Sequence, residues 1–260
     1  MCDPEAGRRR PAATDAVVAI DASTDCCGIA VARGPDVLYE VSIAAPRRHS
    51  EVLHPAIARA FQDLWWKPSE AGPDLLGIAV TVGPGSFTGL RIGIAAATGL
   101  ACAWGLPVAG ISSLAVLAAA AATRGNPGAV APPAGDGPWA VAAGIGTRTG
   151  DCYAALFKPV PGPERARQIG GIITDSPDRA LDQVQKVAAG RFRTILLSGD
   201  AWPPAGAGRR GGGCVRLVDC QIGCPPPGVL ALLGWETLSR GKGVEPEAVR
   251  PVYVRRSGAS

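Results

Sequence analysis

The chain has 260 residues, which at roughly 100–200 residues per domain means one large domain or two small ones, with length enough for a real core. Its 35 glycines and 24 prolines stay just short of the roughly 25–30% that marks low complexity, and 47% hydrophobic residues exclude a disordered chain. A formal charge of +4 is too mild for a dedicated binder of nucleic acid or anionic membrane, although local basic patches are still allowed.

Residues 1–15 carry arginines with no apolar run behind them, together with Asp3, Glu5 and Asp15, acids that export and organelle-targeting peptides avoid. The segment reads as a disordered tail. Three β-type runs follow, at 17–22, 28–33 and 37–43, with Gly34-Pro35-Asp36 as hairpin punctuation between the last two. Leu53, Ile57, Ala60, Phe61 and Leu64 recur at helical spacing, which predicts a helix over 50–64 with Pro55 near its start or kinking it. A strand over 76–82, a loop over 83–87 and a helix over 88–104 complete the order βββαβα. A strand over 108–111 and an Ala-rich helix over 114–122 then lead into a Gly/Pro/Ala linker at 125–138, the best domain boundary.

Beyond the linker the same order returns: strands at 139–145, 152–157 and 169–174, a helix at 178–189, a strand at 194–197 and a helix at 229–240. Gly206 to Gly213, GAGRRGGG, reads as a mobile loop. Hairpins joined to α-crossovers imply an α/β fold with an internal duplication, two βββαβα subdomains with mixed sheets covered by helices. The first spans 16–112 and the second 113–260, with the C-terminal segment free to pack back on the first.

No charged side chain occurs from Ile92 to Thr123, a length that raises a membrane-spanning reading. Gly105, Pro107, Gly110, Ser112 and Ser113 break that run into two Ala/Gly-rich pieces, which favours two buried helices joined by a strand, and no membrane. The eight cysteines are scattered, in a chain too large to need disulfide staples, which indicates a reducing compartment, the cytoplasm. Cys214, Cys220 and Cys224 form the one cluster, but their spacing does not suit a CxxC zinc site.

The segment with most chemical potential is GPGSFTGLRIG: Gly83, Pro84, Gly85, Ser86, Phe87, Thr88, Gly89, then Arg91 and Gly93. Between a strand and a helix it is suited to an anion, because helix N-terminal amides point outward unpaired. Its glycines follow GxGxxxG rather than GxGxxG, no Lys-Ser/Thr follows, and Pro84 lacks an amide donor. The other reading is a tight turn with Ser86 or Thr88 as helix cap.

This segment closely resembles the signature of the TsaB (YeaZ) family, and VVAIDAST at 17–24, HSEVLHP at 49–55, LLSGDAW at 196–202 and PVYVRR at 251–256 match in order. The resemblance covers nearly the whole chain from about residue 16. It implies a duplicated ASKHA fold, the actin, sugar kinase and Hsp70 type. It also implies a non-catalytic role: a dimerisation and activating subunit for a TsaD-like transferase, which places N6-threonylcarbamoyladenosine at position 37 of tRNAs that read ANN codons. A TsaE-like ATPase is the second implied partner, tRNA is reached through the complex, and ATP and threonylcarbamoyl-adenylate are used by other subunits. Gly146 departs from the pattern, standing where the family's I-D-A-R-x-G motif has Asp.

Asp21 ends the first strand, where ASKHA nucleotide-binding proteins keep a metal- and phosphate-orienting carboxylate. The following ASTDCCG has one glycine where a phosphate hairpin needs several, so Asp21 reads as vestigial, with no cofactor bound by the chain alone. His49 and His54 are five apart, about 140° around a helix, so they cannot share a metal, and helix-start or surface roles are expected. Basic clusters at Arg8 to Arg10, Arg47-Arg48, Arg209-Arg210 and Arg250, Arg255, Arg256 read as solvated; the resemblance to a tRNA-modifying family allows one of them to touch phosphate, but no RNA-binding motif with interleaved aromatics is present.

The helix over 88–104 has no charge beyond Arg91 and is apolar all round, so a second layer must cover it. Either this chain's own helices or a partner protein does so. The expected partner face joins Gly93, Ala96, Ala97 and Leu100 to Leu53, Ile57 and Phe61 of the preceding helix. The rival readings are an ASKHA-type ATPase or kinase, a glycopeptidase, and a homodimer that uses the apolar helix by itself.

Overall fold

The computed structural model describes residues 15–67, 75–123, 137–162, 164–202 and 215–254. The predicted tail at 1–14, most of the linker and the GAGRRGGG loop lie outside the described residues.

The first half runs β1 (Ala16–Asp21), β2 (Cys26–Arg33), β3 (Asp36–Ala44), α1 (His49–Asp63), β4 (Leu75–Gly83), α2 (Phe87–Trp104), β5 (Val108–Ser112) and α3 (Ser113–Ala122). The second runs β6 (Trp139–Gly146), β7 (Cys152–Pro159), β8 (Ala166–Asp175), α4 (Pro177–Ala188), β9 (Thr194–Ser198), β10 (Arg216–Asp219) and α5 (Pro227–Ser239). Each half forms a five-stranded sheet, in the orders β3-β2-β1-β4-β5 and β8-β7-β6-β9-β10. In both, the hairpin partners are antiparallel and the crossover partners parallel.

The duplication is therefore real, but its last helix was matched wrongly from sequence. β10 was not foreseen, and it makes α5 the counterpart of α3, which follows β5, rather than of α2. β10 is four residues long, with half-exposed Leu217 and Val218 between exposed Arg216 and Asp219, too short for strand periodicity to show.

The two halves exchange their covering helices. α3, from the first half, packs on β6 to β9, whereas α5, from the second, packs on all five strands of the first sheet. α3 is apolar all round because it lies between two sheets, and Leu114 and Leu117 on it and Leu230 on α5 are fully buried. Alternation in β1 sorts the layers: Val17 and Ala19 face these central helices, while Val18 and Ile20 face α1 and α2 on the outer side. α4 covers the outer face of the second sheet with Ala180, Leu181, Val184 and Ala188, one stripe of a helix that is otherwise polar. The chain returns to the first sheet at its end, where Val244 bridges Val108 and the Val252 amide donates to Val82 O at 2.7 Å.

One cysteine expectation is corrected. Cys26 and Cys224 are paired, their Cα atoms 6.4 Å apart, and they join the start of β2 to the segment before α5. Their separation of 198 residues hides the pair from any reading of local spacing. Cys220 is buried and unpaired, and Cys214 lies outside the described residues.

Candidate functional site

Asp21 ends β1 fully buried, and its Oδ1 accepts hydrogen bonds from the Ser23 amide at 3.1 Å, Ser23 Oγ at 2.7 Å and Thr81 Oγ1 at 2.6 Å. Oδ2 has no partner among the described residues. Burial raises the pKa of this carboxyl, against the lowering effect of those three bonds and of nearby His49. His49 is not on the surface. It is buried at the start of α1, where Nε2 donates to Thr24 O at 2.8 Å and Cys26 O at 3.2 Å, tying the helix to the turn after β1. His54 is exposed.

The glycine loop lies directly on that turn. A Cβ on Gly85 would sit 2.2 Å from Ser23 O, and one on Gly89 would sit 2.0 Å from Ala22 O. Both glycines are thus required by close backbone approach, not by left-handed geometry, which in this loop belongs to Gly83 at φ +109°. Ser86 caps α2, its Oγ accepting from the Gly89 amide at 3.3 Å, and the Ser86 amide donates to Ser23 O at 2.7 Å. The Ser86 and Gly89 amides are thus spent within the chain, and the backbone of residues 22 and 23 presses on Gly85 and Gly89. Pro84 follows Gly83 through a cis peptide. With those two amides spent and none on Pro84, the loop offers fewer donors to a phosphate than its glycines suggest.

In the second half, the turn after β9 is held by Trp202, whose Nε1 donates to Ala142 O at 3.1 Å and Ser198 O at 3.0 Å. Gly146, the departure from the family motif, donates its amide to Asp200 Oδ1 at 2.8 Å. A Cβ there would lie 3.7 Å from that oxygen, so the position has room for a side chain but already faces a carboxylate. Burial raises the pKa of Asp200, and the charge of Asp25 adds to it. Among the described residues no three His, Cys, Asp or Glu side chains gather as a metal site.

On the outer side of the first sheet, α1 and α2 enclose a groove of about 330 Å³ lined by His54, Ile57, Ala58, Phe61, Ala95, Ala96, Gly99, Leu100 and Trp104. The Phe61 and Trp104 rings in its lining meet edge-on at 5.7 Å. α2 is long and apolar enough to cross a membrane, but its inner face packs on β4 and β1. That packing corrects the predicted partner face. Gly93 and Ala97 are buried, Gly93 beside Ala22, and Leu53 is fully buried in the chain's own core, so none of the three reaches a partner. Ile57, Phe61, Ala96 and Leu100 do line the groove, although the first three expose little. The outward stripe of α2 is Phe87, Arg91, Ala95 and Gly99, one residue per turn. Sequence reasoning missed Ala95 and Gly99, although both stand at helical spacing from Arg91, the one charge on the helix.

The N-terminal end of that stripe meets the C-terminal segment. Arg91 Cζ lies 3.8 Å above the Phe87 ring, and its Nε donates to Tyr253 Oη at 3.0 Å.

Comparison with known proteins agrees with this architecture. A family model for TsaD, tRNA N6-adenosine threonylcarbamoyltransferase, matches residues 42–190. The tRNA threonylcarbamoyladenosine biosynthesis protein TsaB of Escherichia coli is 28% identical over 94% of this chain and 96% of its own length. A tRNA N6-adenosine threonylcarbamoyltransferase from Dinoroseobacter shibae is 32% identical over 66% of this chain, but only 47% of the transferase is covered. The structure of YeaZ from Pseudomonas aeruginosa superposes with a TM-score of 0.69 at 26% identity, over 92% of this chain and 99% of that one. The two mixed sheets with exchanged helices are the duplicated ASKHA fold.

Proposed function

The chain belongs to the TsaB family, which acts in tRNA threonylcarbamoyladenosine biosynthesis, and we propose that it is the non-catalytic subunit that docks on and activates a TsaD-like transferase in the cytoplasm. A TsaE-like ATPase is its second partner, and tRNA is reached through the complex. ATP and threonylcarbamoyl-adenylate are handled by the other subunits.

The observation that carries this reading is the α1/α2 groove. Its lining is apolar but for His54, and Ala58, Ala95 and Gly99 keep side-chain bulk low enough for a partner helix to approach the backbone closely. An apolar helix-lined groove of this kind accepts the apolar face of another helix. The glycine loop supports the non-catalytic part, because its Ser86 and Gly89 amides are spent within the chain and Pro84 has none.

A second reading, an ASKHA-type ATPase or kinase acting alone, is favoured by one feature, the buried and unpartnered Oδ2 of Asp21. Two measurements separate the readings. Size-exclusion chromatography of the chain with and without its TsaD-like partner should show a heteromeric complex; self-association alone would favour a homodimer. The purified chain should not hydrolyse ATP above blank, and turnover that disappears in Asp21→Ala would decide for the second reading.

A further inference from the structure

Of the seven large hydrophobic side chains exposed among the described residues, three lie at one place: Phe87 at 54%, Val252 at 44% and Tyr253 at 48%. They come from segments 165 positions apart in sequence, the start of α2 and the end of the described chain. The rings of Phe87 and Tyr253 lie 5.2 Å apart, tilted by 35°, with the Arg91 guanidinium over Phe87 and bonded to Tyr253 Oη. The patch is held in place from beneath. The Val252 amide donates to Val82 O, and a Cβ at Gly83 would sit 2.9 Å from Val252 O, so the tail lies flush on the glycine loop.

Neither Arg91 nor Arg250 forms an ion pair among the described residues, and Arg250 spends its Nη1 on the carbonyls of Glu247 and Val249. The sequence continues with Arg255 and Arg256. Two part-exposed aromatic rings with an arginine between them are the elements by which proteins hold unpaired nucleic acid, rings stacking on bases and guanidinium groups meeting phosphates. The neighbouring α1/α2 groove has the opposite character, apolar with a single ionisable side chain.

We infer that Phe87, Arg91 and Tyr253 form a docking platform for a single-stranded segment of RNA. The inference rests on the proposed function for the choice of RNA, and it assigns this chain a direct contact with the nucleic acid that the complex modifies. The platform and the groove share α2: Phe87 and Gly99 are twelve residues apart, about 18 Å along the helix. RNA and transferase can therefore occupy the same helix side by side.

The test uses a fluorescein-labelled, unmodified anticodon stem-loop RNA, with a fully paired duplex as control. Binding is measured by anisotropy at several salt concentrations, for the chain alone and for its complex with the transferase. Losing one stacking ring in Tyr253→Ala or Phe87→Ala should weaken stem-loop binding about tenfold, while Tyr253→Phe, which keeps the ring, should bind within about twofold of wild type. Arg91→Gln should lower the slope of log affinity against log salt by about 0.7, the loss of one single-strand phosphate contact. Affinity for the transferase is measured separately and should not change. Unchanged RNA binding in Tyr253→Ala, Phe87→Ala and Arg91→Gln overturns the proposal. Lost transferase affinity with intact RNA binding also overturns it, and makes the patch a protein interface. If the wild-type chain fails to join the transferase, the functional reading fails, and the same variants still decide the platform on the chain alone.

Discussion

Replacing Gly99 by arginine tests the groove without disturbing the core. Gly99 is exposed near the middle of α2, and a Cβ built there meets nothing within 4 Å, so the free chain has room for the side chain. A helical glycine costs about 0.8–1.0 kcal/mol relative to good helix formers, so the uncomplexed variant should be more stable. In a chain of this size that corresponds to a Tm rise of about 2 °C. Within the complex the same arginine would be pressed against Ala95, Leu100 and Ile57, where the groove offers no carboxylate. A charge buried unpaired costs about 3 kcal/mol or more, so affinity for the transferase should fall about a hundredfold. Differential scanning fluorimetry gives the first number and isothermal titration calorimetry the second. A variant with raised Tm and wild-type affinity would show that the transferase docks elsewhere. A drop of several degrees in the free chain would show that this face of α2 is not open. Ala97→Arg makes the contrast, because Ala97 is fully buried and its substitution should destabilise the free chain itself.

Two glycines of α2 should respond with opposite sign to the same change: Gly89→Ala drives a Cβ to 2.0 Å from Ala22 O and should cost about 2 kcal/mol or more in urea denaturation, while Gly99→Ala should gain up to about 1 kcal/mol. Asp21 has a folded pKa above its unfolded one, so the protein binds this proton more tightly when folded, and the stability it contributes is complete below about pH 3.9 and lost as pH rises through the folded value. The Tm of Asp21→Asn relative to wild type should therefore be higher at pH 7 than at pH 4, and a difference that is flat or reversed refutes the assignment. Peptide mapping of the oxidised protein should join Cys26 to Cys224 and leave Cys220 alkylated only after unfolding, whereas a Cys220–Cys224 link would contradict the structure. Gly146→Asp should push Asp200 further toward its neutral form, seen by NMR as an upward shift of its titration, since the new side chain's Cβ would lie 3.7 Å from Asp200 Oδ1 and bring a second carboxylate beside it.

The strands and helices of the first half were legible because burial is layered: alternating residues of β1 face two different helical layers, and both periodicities leave apolar runs of readable length. The glycine loop was legible as a special place, but not for its reason. Positive φ can be expected from a turn, whereas the approach of Gly85 and Gly89 to the carbonyls of residues 22 and 23 is a contact across some sixty residues. The face of α2 was misread because an all-apolar helix offers two equivalent stripes to hydrophobicity. Its one charge, Arg91, breaks the tie, and counting turns from it gives Ala95 and Gly99. Nothing local announced Cys26–Cys224 or the meeting of Phe87 with Tyr253, since both depend on how the chain's end returns to its beginning.

Exchange of the covering helices governs how this chain can be divided. Were it cut within 125–138, the N-terminal fragment would carry α3 with Leu114, Leu117 and Val116 stripped of their sheet, and the inner face of its own sheet would lack α5. The C-terminal fragment would in turn expose Val229, Leu230 and Leu233. Neither fragment holds the parts of one closed layer, so each alone should aggregate, yet the two together contain the contacts seen among the described residues. Co-expressed fragments should reconstitute by complementation, and thermal unfolding of the whole should be one transition rather than two, because melting either half removes a wall of the other.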